Sequence, residues 1–150
     1  RIAKTYGDKL HENTLISNFI ASLKNGKREF NVATDQKFNP LYVRDLKKII
    51  KLFLEKEIKG VFNVGGPEQL SRYECIEKII KQFKNKNINK IILEKSKLKN
   101  FKFLDKRPLN ITMNINKIKK IIKFKLTKID DVAKEIIKRN KLNEKLFSRR

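Results

Sequence analysis

One cysteine, Cys75, and one histidine, His11, are all that this 150-residue chain has of the side chains most used in redox and metal chemistry. A lone thiol cannot build an internal disulfide framework, nor by itself a multi-thiolate zinc site. Cys75 falls in a helical pattern and reads as a packing residue. His11 has no second histidine and no carboxylate cluster near it, so it reads as a solvated loop residue. No metal ligand set is expected. No window approaches the roughly 18 consecutive apolar residues of a membrane span, and nothing resembles a signal peptide. These absences point to the cytoplasm and away from a membrane partner.

Acidic residues are also scarce: 16 Asp and Glu stand against 38 Lys and Arg, a formal net charge of +22. Such a balance is the usual electrostatic footprint of a nucleic-acid binder. Its texture argues otherwise. Lysines outnumber arginines and are spread along every segment, with abundant Ile and Asn, as on solvated faces. The arginine cluster and interleaved aromatics that phosphate binding and base stacking favour are not evident. A polynucleotide partner is therefore disfavoured, since charge alone speaks to solubility and association.

The length suits one domain, or part of one, with a core. Leu15, Ile16, Phe19, Ile20 and Leu23 recur at helical spacing, and Gly26 stands where a left-handed cap belongs, which predicts a helix over 14–24. Glu29 to Ala33 alternates like a strand. Asn39-Pro40 interrupts regular structure. From Val43, the residues Leu46, Ile49, Ile50, Phe53 and Leu54 form one apolar stripe of a second helix, and Gly60 is expected to end it. Val61 to Val64 reads as a compact strand, and Gly65-Gly66-Pro67 as a tight turn in preference to a phosphate cradle. Ser71 and Glu74 form a capping box ahead of Ile76, Ile79, Ile80 and Phe83. After a polar connection over Lys84 to Lys90 come a short strand at Ile91 to Leu93, a loop holding Arg107-Pro108, and a short helix near Asn116 to Ile122. A weaker capping box at Thr127 and Asp130 opens a final amphipathic helix. The alternation of helix and strand predicts an α/β sheet.

Several loop residues admit two readings. Asp35 and Gln36 either orient a loop on the side of a ligand or make Asx-type turn bonds. Asp45 suits the helix dipole better than it suits a base. Asn39 and Tyr42 offer an amide and a phenol for hydrogen bonding, or simply attend a proline-ordered helix start. Arg107 offers a guanidinium fork to an anionic ligand, or pairs with Asp105.

The segment Asp35-Gln36-Lys37-Phe38-Asn39-Pro40-Leu41-Tyr42-Val43-Arg44-Asp45-Leu46, followed by Gly60-Val61-Phe62-Asn63-Val64-Gly65-Gly66, resembles the carboxyl-terminal half of an extended short-chain dehydrogenase/reductase, closest to the dTDP-4-dehydrorhamnose reductase group. Arg1-Ile2-Ala3-Lys4-Thr5-Tyr6-Gly7, Asn18-Phe19 and Arg107-Pro108-Leu109-Asn110 match in the same order. Leu41 stands where that group tends to have threonine.

The resemblance implies an α/β fold made of the distal part of a Rossmann-type NAD(P)-binding fold plus the small substrate-binding region. Residues 1–139 would form the substrate-binding half, and 140–150 a frayed basic tail. It implies hydride transfer from NAD(P) to a keto sugar carried on a nucleotide. Asn18, Asn39, Tyr42 and Arg107 would face that substrate, and Ala3 and Lys4 would lie near the cofactor. The amino-terminal half of the same protein is the expected partner, and a homodimer is open to it. The glycine-rich Gly-x-x-Gly-x-x-Gly turn and the Tyr-x-x-x-Lys pair that such an enzyme needs do not occur in these residues. With Arg1 in place of an initiator Met, the chain reads as a fragment that holds no cofactor and no catalytic residue by itself. The rival readings are an epimerase or dehydratase of the same superfamily, a non-catalytic regulatory subunit with this fold, and, most distantly, a basic nucleic-acid-binding module.

Overall fold

The computed structural model describes residues 1–9, 13–84 and 90–142. The expectations for His11, for most of the Lys84 to Lys90 connection and for most of the basic tail fall on residues outside these.

Parallel strand pairs organise the chain. β1 (Thr5–Tyr6) runs parallel to β4 (Leu41–Tyr42), and β2 (Glu29–Ala33) runs parallel to β6 (Ile92–Ser96), in register from Glu29 opposite Ile92 to Ala33 opposite Ser96. Parallel neighbours need a long crossover, and helices supply it. β3 (Lys37–Phe38) and β5 (Leu70–Ser71) form a short antiparallel pair. The strand expected at Val61 to Val64 is reduced to one parallel bridge between Ile2 and Val64, beside which the Phe62 carbonyl accepts from the Arg1 amino group at 2.8 Å. There Ala3 donates to the Val64 carbonyl and Val64 to the Arg1 carbonyl, both at 2.8 Å.

Local chemistry sets the helices. α1 (Leu15–Lys24) is capped by Thr14, whose hydroxyl accepts from the Ser17 amide while Ser17 accepts from the Thr14 amide. It ends as the sequence predicts: Gly26, at φ +85°, lets the Lys27 amide reach the Ser22 carbonyl, a Schellman closure. α2 (Val43–Glu55) stops before Gly60. Glu57 takes the left-handed position at φ +47°, Ile58 donates to the Phe53 carbonyl at 3.1 Å, and both apolar side chains join the core. α3 (Arg72–Ile80) carries the predicted capping box, with Ser71 donating to Glu74 Oε2 at 2.6 Å and Glu74 donating to Ser71 Oγ at 3.1 Å. α4 is shorter than expected, Asn116–Lys119. α5 (Ile129–Arg139) begins without the Thr127 and Asp130 capping box. Thr127 is bound to Asp45 instead, and Asp130 to Lys78 and Gln82.

Two apolar clusters result. The larger joins Ile16, Phe19, Ile20 and Leu23 of α1 with Phe30 and Val32 of β2, Cys75, Ile76 and Ile79 of α3, and the buried face of α5. The smaller gathers Leu41, Ile49, Phe62, Val64, Ile115, Ile118 and Leu126. Each fully buried Ile or Leu contributes about 1.5–3 kcal/mol. The predicted α2 stripe is only partly used: Ile49 is buried, whereas Ile50 is 49% and Leu54 75% exposed. Packed structure also passes residue 139, where the tail was expected to fray, since Leu142 is completely buried in the larger cluster.

Among the described residues no helix is long and apolar enough to cross a membrane, and no group of His, Cys, Asp and Glu is placed to hold a metal.

Candidate functional site

The carboxyl ends of β2 and β6 open into a cleft, and the residues just after β2 fasten the loop that covers it. Asp35 Oδ1 accepts from the Leu98 amide at 2.8 Å, and Gln36 Nε2 donates to the Pro108 carbonyl at 3.0 Å. Lys37 completes the seam, donating to the Leu109 carbonyl at 2.7 Å and accepting from Ile111 at 2.9 Å. Asp35 and Gln36 thus bond a distant loop and not their own turn. These bonds span more than sixty positions of sequence, which no turn bond does.

Under that loop lies a cavity of about 280 Å³ between α1, β2 and the covering segment. Its walls are mainly apolar, lined by Phe19 and Phe30, their rings 4.8 Å apart, and by Phe101 and Phe103, 6.3 Å apart and inclined by 28°. Asn18, Arg72 and Arg107 supply polar groups. The Arg107 guanidinium stands 4.2 Å from the Phe103 ring centre. Neither it nor Asp105 forms an ion pair among the described residues, so the alternative pairing of the two is not made. Flat π faces with cations at the rim suit a heteroaromatic ring bearing anionic groups.

Lys4, just before β1 and outside the lining of this cavity, is close enough to feel both arginines. Partial burial of its ammonium, then the charges of Arg72 and Arg107, push its pKa below the usual lysine value. Burial likewise lowers Arg72, followed by the Arg107 charge.

The structure brings Asn18 and Arg107 to one cavity and leaves Asn39 and Tyr42 elsewhere. Asn18 Nδ2 also donates to Asn13 Oδ1 at 2.9 Å. Asn39 is 1% exposed, and its amide clasps the Met113 backbone, donating to the carbonyl at 3.2 Å and accepting from the amide at 3.1 Å. Tyr42 is buried, its hydroxyl 3.4 Å from Asp8 Oδ2. Burial and then the Asp8 charge push that phenol up to about 12. The side chains of Asn39 and Tyr42 are thus spent on the protein itself. Ala3 is buried, with its amide committed to Val64. Asp45 is buried and held by Thr127, which removes it from consideration as a base.

The turn at Gly65-Gly66 has a different cause from the one expected. Neither glycine has positive φ among the described backbone angles. A Cβ on Gly66 would lie 1.7 Å from the Pro40 carbonyl oxygen, and one on Gly65 2.3 Å from Asn39 Nδ2. The bare faces of both glycines are filled by residues 39 and 40, which leaves no cradle for a pyrophosphate.

Sequence reasoning passed over Arg72, Phe101 and Phe103. Arg72 sat in a segment read for its Ser71 cap, and the two phenylalanines lie in an irregular stretch with no periodicity to give them a face. Their i, i+2 spacing beside Arg107 was the available signal.

The family model described as RmlD substrate binding domain matches residues 1–142. Among solved structures, the dTDP-4-dehydrorhamnose reductase of Bacillus anthracis, in complex with NADP, is similar with a TM-score of 0.72 at 19% identity, over 93% of this chain and 47% of that one. A dTDP-4-dehydrorhamnose reductase of Clostridium acetobutylicum gives 0.74 at 20%, over 94% and 48%. The dTDP-glucose 4,6-dehydratase of Bacillus anthracis, in complex with NAD, gives 0.69 at 21%, over 96% and 44%. The chain thus spans about half the length of the solved structures it matches. No curated protein matches it in sequence. At these identities the likeness establishes the fold alone, an α/β arrangement with parallel strands shared with these structures. With parallel strands ending at a covered cleft and a family model running from Arg1 to Leu142, the chain belongs to the RmlD substrate binding domain family.

Proposed function

We propose that residues 1–142 are the substrate-binding half of an NAD(P)-dependent nucleotide-sugar reductase, and that the aromatic cavity takes the nucleotide end of a dTDP-linked keto sugar. The observation that carries this reading is the placement of Arg107 against Phe103 at the rim of a cavity walled by four phenylalanines. A base slides between apolar faces, its diphosphate meets the guanidinium fork, and Asn18 offers an amide to the sugar hydroxyls.

This reading gives these residues no part in cradling the dinucleotide, since Gly65 and Gly66 are packed against residues 39 and 40 and a Tyr-x-x-x-Lys pair does not occur in the sequence. When bound in the intact enzyme, the nicotinamide supplies the hydride. No proton or hydride step is assigned to these residues. Their part is to bind and orient the sugar nucleotide. The exposed Ile50 and Leu54 on α2 suit a covering amino-terminal half in the cytoplasmic enzyme.

The test is Arg107→Ala in the intact enzyme. KM for the dTDP-keto sugar should rise about tenfold or more while KM for NAD(P)H is unchanged. An unchanged substrate KM removes the phosphate role of Arg107. The dehydratase in the structural comparison supports a second reading, an epimerase or dehydratase on the same scaffold. Net consumption of NAD(P)H during turnover identifies the reductase, since the other two regenerate their nicotinamide.

A further inference from the structure

Like charges gathered at one rim move apart unless something holds them. Arg72 Nε donates to Gln36 Oε1 at 2.6 Å, while the other end of the same amide is fixed on the Pro108 carbonyl, next in sequence to Arg107. Gln36 is 3% exposed. A buried, neutral amide with both ends engaged has one orientation and brings no countercharge. Arg72 is therefore aimed without being neutralised. Its terminal amino groups donate to no acceptor, and no carboxylate pairs with it, among the described residues.

A half-buried guanidinium without a countercharge is costly for a fold to keep. Burial and the neighbouring Arg107 charge act on it together, and Lys4 feels both arginines. The strain of assembling these cations is relieved by an anion of more than one charge. A diphosphate presents two phosphoryl groups, one for each fork.

We infer that Arg72, aimed by Gln36, is a second phosphate-binding residue of the aromatic cavity, gripping the same diphosphate as Arg107, and that Gln36 is its positioning residue. This rests on the reading of the cavity as a nucleotide site. It adds a preference: diphosphates bind more tightly than monophosphates, because a single phosphoryl group engages one fork and leaves the other cation uncompensated. It also gives the Asp35-Gln36 pair a joint task, with Asp35 pinning Leu98 at one end of the aromatic loop and Gln36 pinning Pro108 at the other.

The experiment is calorimetric titration of the 150-residue chain at low salt with thymidine diphosphate, thymidine monophosphate and inorganic pyrophosphate. The variants are Arg72→Met, Arg107→Met, Gln36→Leu and the double variant Arg72→Met with Gln36→Leu. Arg72→Met should weaken both diphosphate probes about tenfold or more and the monophosphate about threefold or less. Gln36→Leu alone should weaken the diphosphates comparably. In the Arg72→Met background it should add no more than about twofold, because a residue acting through Arg72 has nothing left to act on. A Gln36 effect that persists at full size in that background overturns the positioning role.

Where Arg72→Met lacks a cooperative thermal transition, Arg72→Lys replaces it. It keeps the charge and loses the fork, and should still weaken diphosphate binding several-fold. If the Arg72 variants leave diphosphate binding within twofold of the parent while Arg107→Met weakens it, the inference fails and the nucleotide reading stands. Arg72-dependent binding of pyrophosphate without binding of either nucleotide does the reverse. Binding of none of the three overturns both.

Discussion

The Asp45 carboxylate, buried at the start of α2, receives both the amide of Thr127 at 2.6 Å and its hydroxyl at 3.1 Å, across 82 positions of sequence. This single side chain fixes where α5 begins relative to α2. Asp45→Asn keeps the shape but replaces a charged double acceptor by a neutral group with one acceptor oxygen. It should cost about 1.5–3 kcal/mol. Urea denaturation of the two proteins measures it, and an unchanged midpoint would mean the pair contributes nothing.

Asp8 ties the loop after β1 to both α2 and α5. Its carboxylate accepts from Arg44, from Arg139 Nη1 at 3.0 Å and from Tyr42, and its carbonyl accepts from Arg139 Nη2. Burial pushes its pKa up, but the Arg139 hydrogen bond and the charges of Arg139 and Arg44 outweigh it, and the net shift is downward. A carboxylate depressed in the folded state adds stability that is present above its unfolded pKa, about 3.9. That stability is lost as pH falls through the lower folded value. Asp8→Asn should therefore flatten the stability profile below about pH 4 and lower stability at pH 7. Denaturant midpoints from pH 2 to 7 report this, and parallel profiles for both proteins would contradict it.

Two positions separate close approach from backbone strain. Gly66→Ala drives a methyl into the Pro40 carbonyl and should cost about 3 kcal/mol or more, since backbone cannot yield cheaply. Glu57, held at φ +47° in the turn that ends α2, carries strain instead. Glu57→Gly should raise stability by about 0.5–1 kcal/mol. Thermal unfolding ranks the two, and equal effects would show that neither geometry controls its site.

Cys75 lies wholly inside the larger core, where burial pushes its thiol up to about 12. The thiolate is the reactive form, so the folded protein should resist alkylation near neutral pH. Iodoacetamide labelling followed by mass spectrometry should find modification only once denaturant has unfolded the chain. Rapid labelling of the native protein would place the thiol at the surface.

Composition, periodicity and capping chemistry carried much of the fold. The helices at Leu15 and Val43, the Ser71 and Glu74 box, the strand at Glu29 and the α/β alternation were all legible, because local hydrogen bonds and the spacing of apolar residues express them within a few positions. The order of motifs from Asp35 to Asn110 was enough to indicate the family. What sequence could not decide is where each polar side chain spends its hydrogen bonds. Asn39 and Tyr42 read as ligand groups, and only the three-dimensional packing sends them to Met113 and Asp8. Thr127 read as a cap and is Asp45's partner. Arg72, Phe101, Phe103 and Arg107 line one cavity because the loop from Leu98 to Pro108 folds back across residues 35 and 36. Those contacts join segments more than sixty positions apart, and no local pattern encodes a partner at that distance.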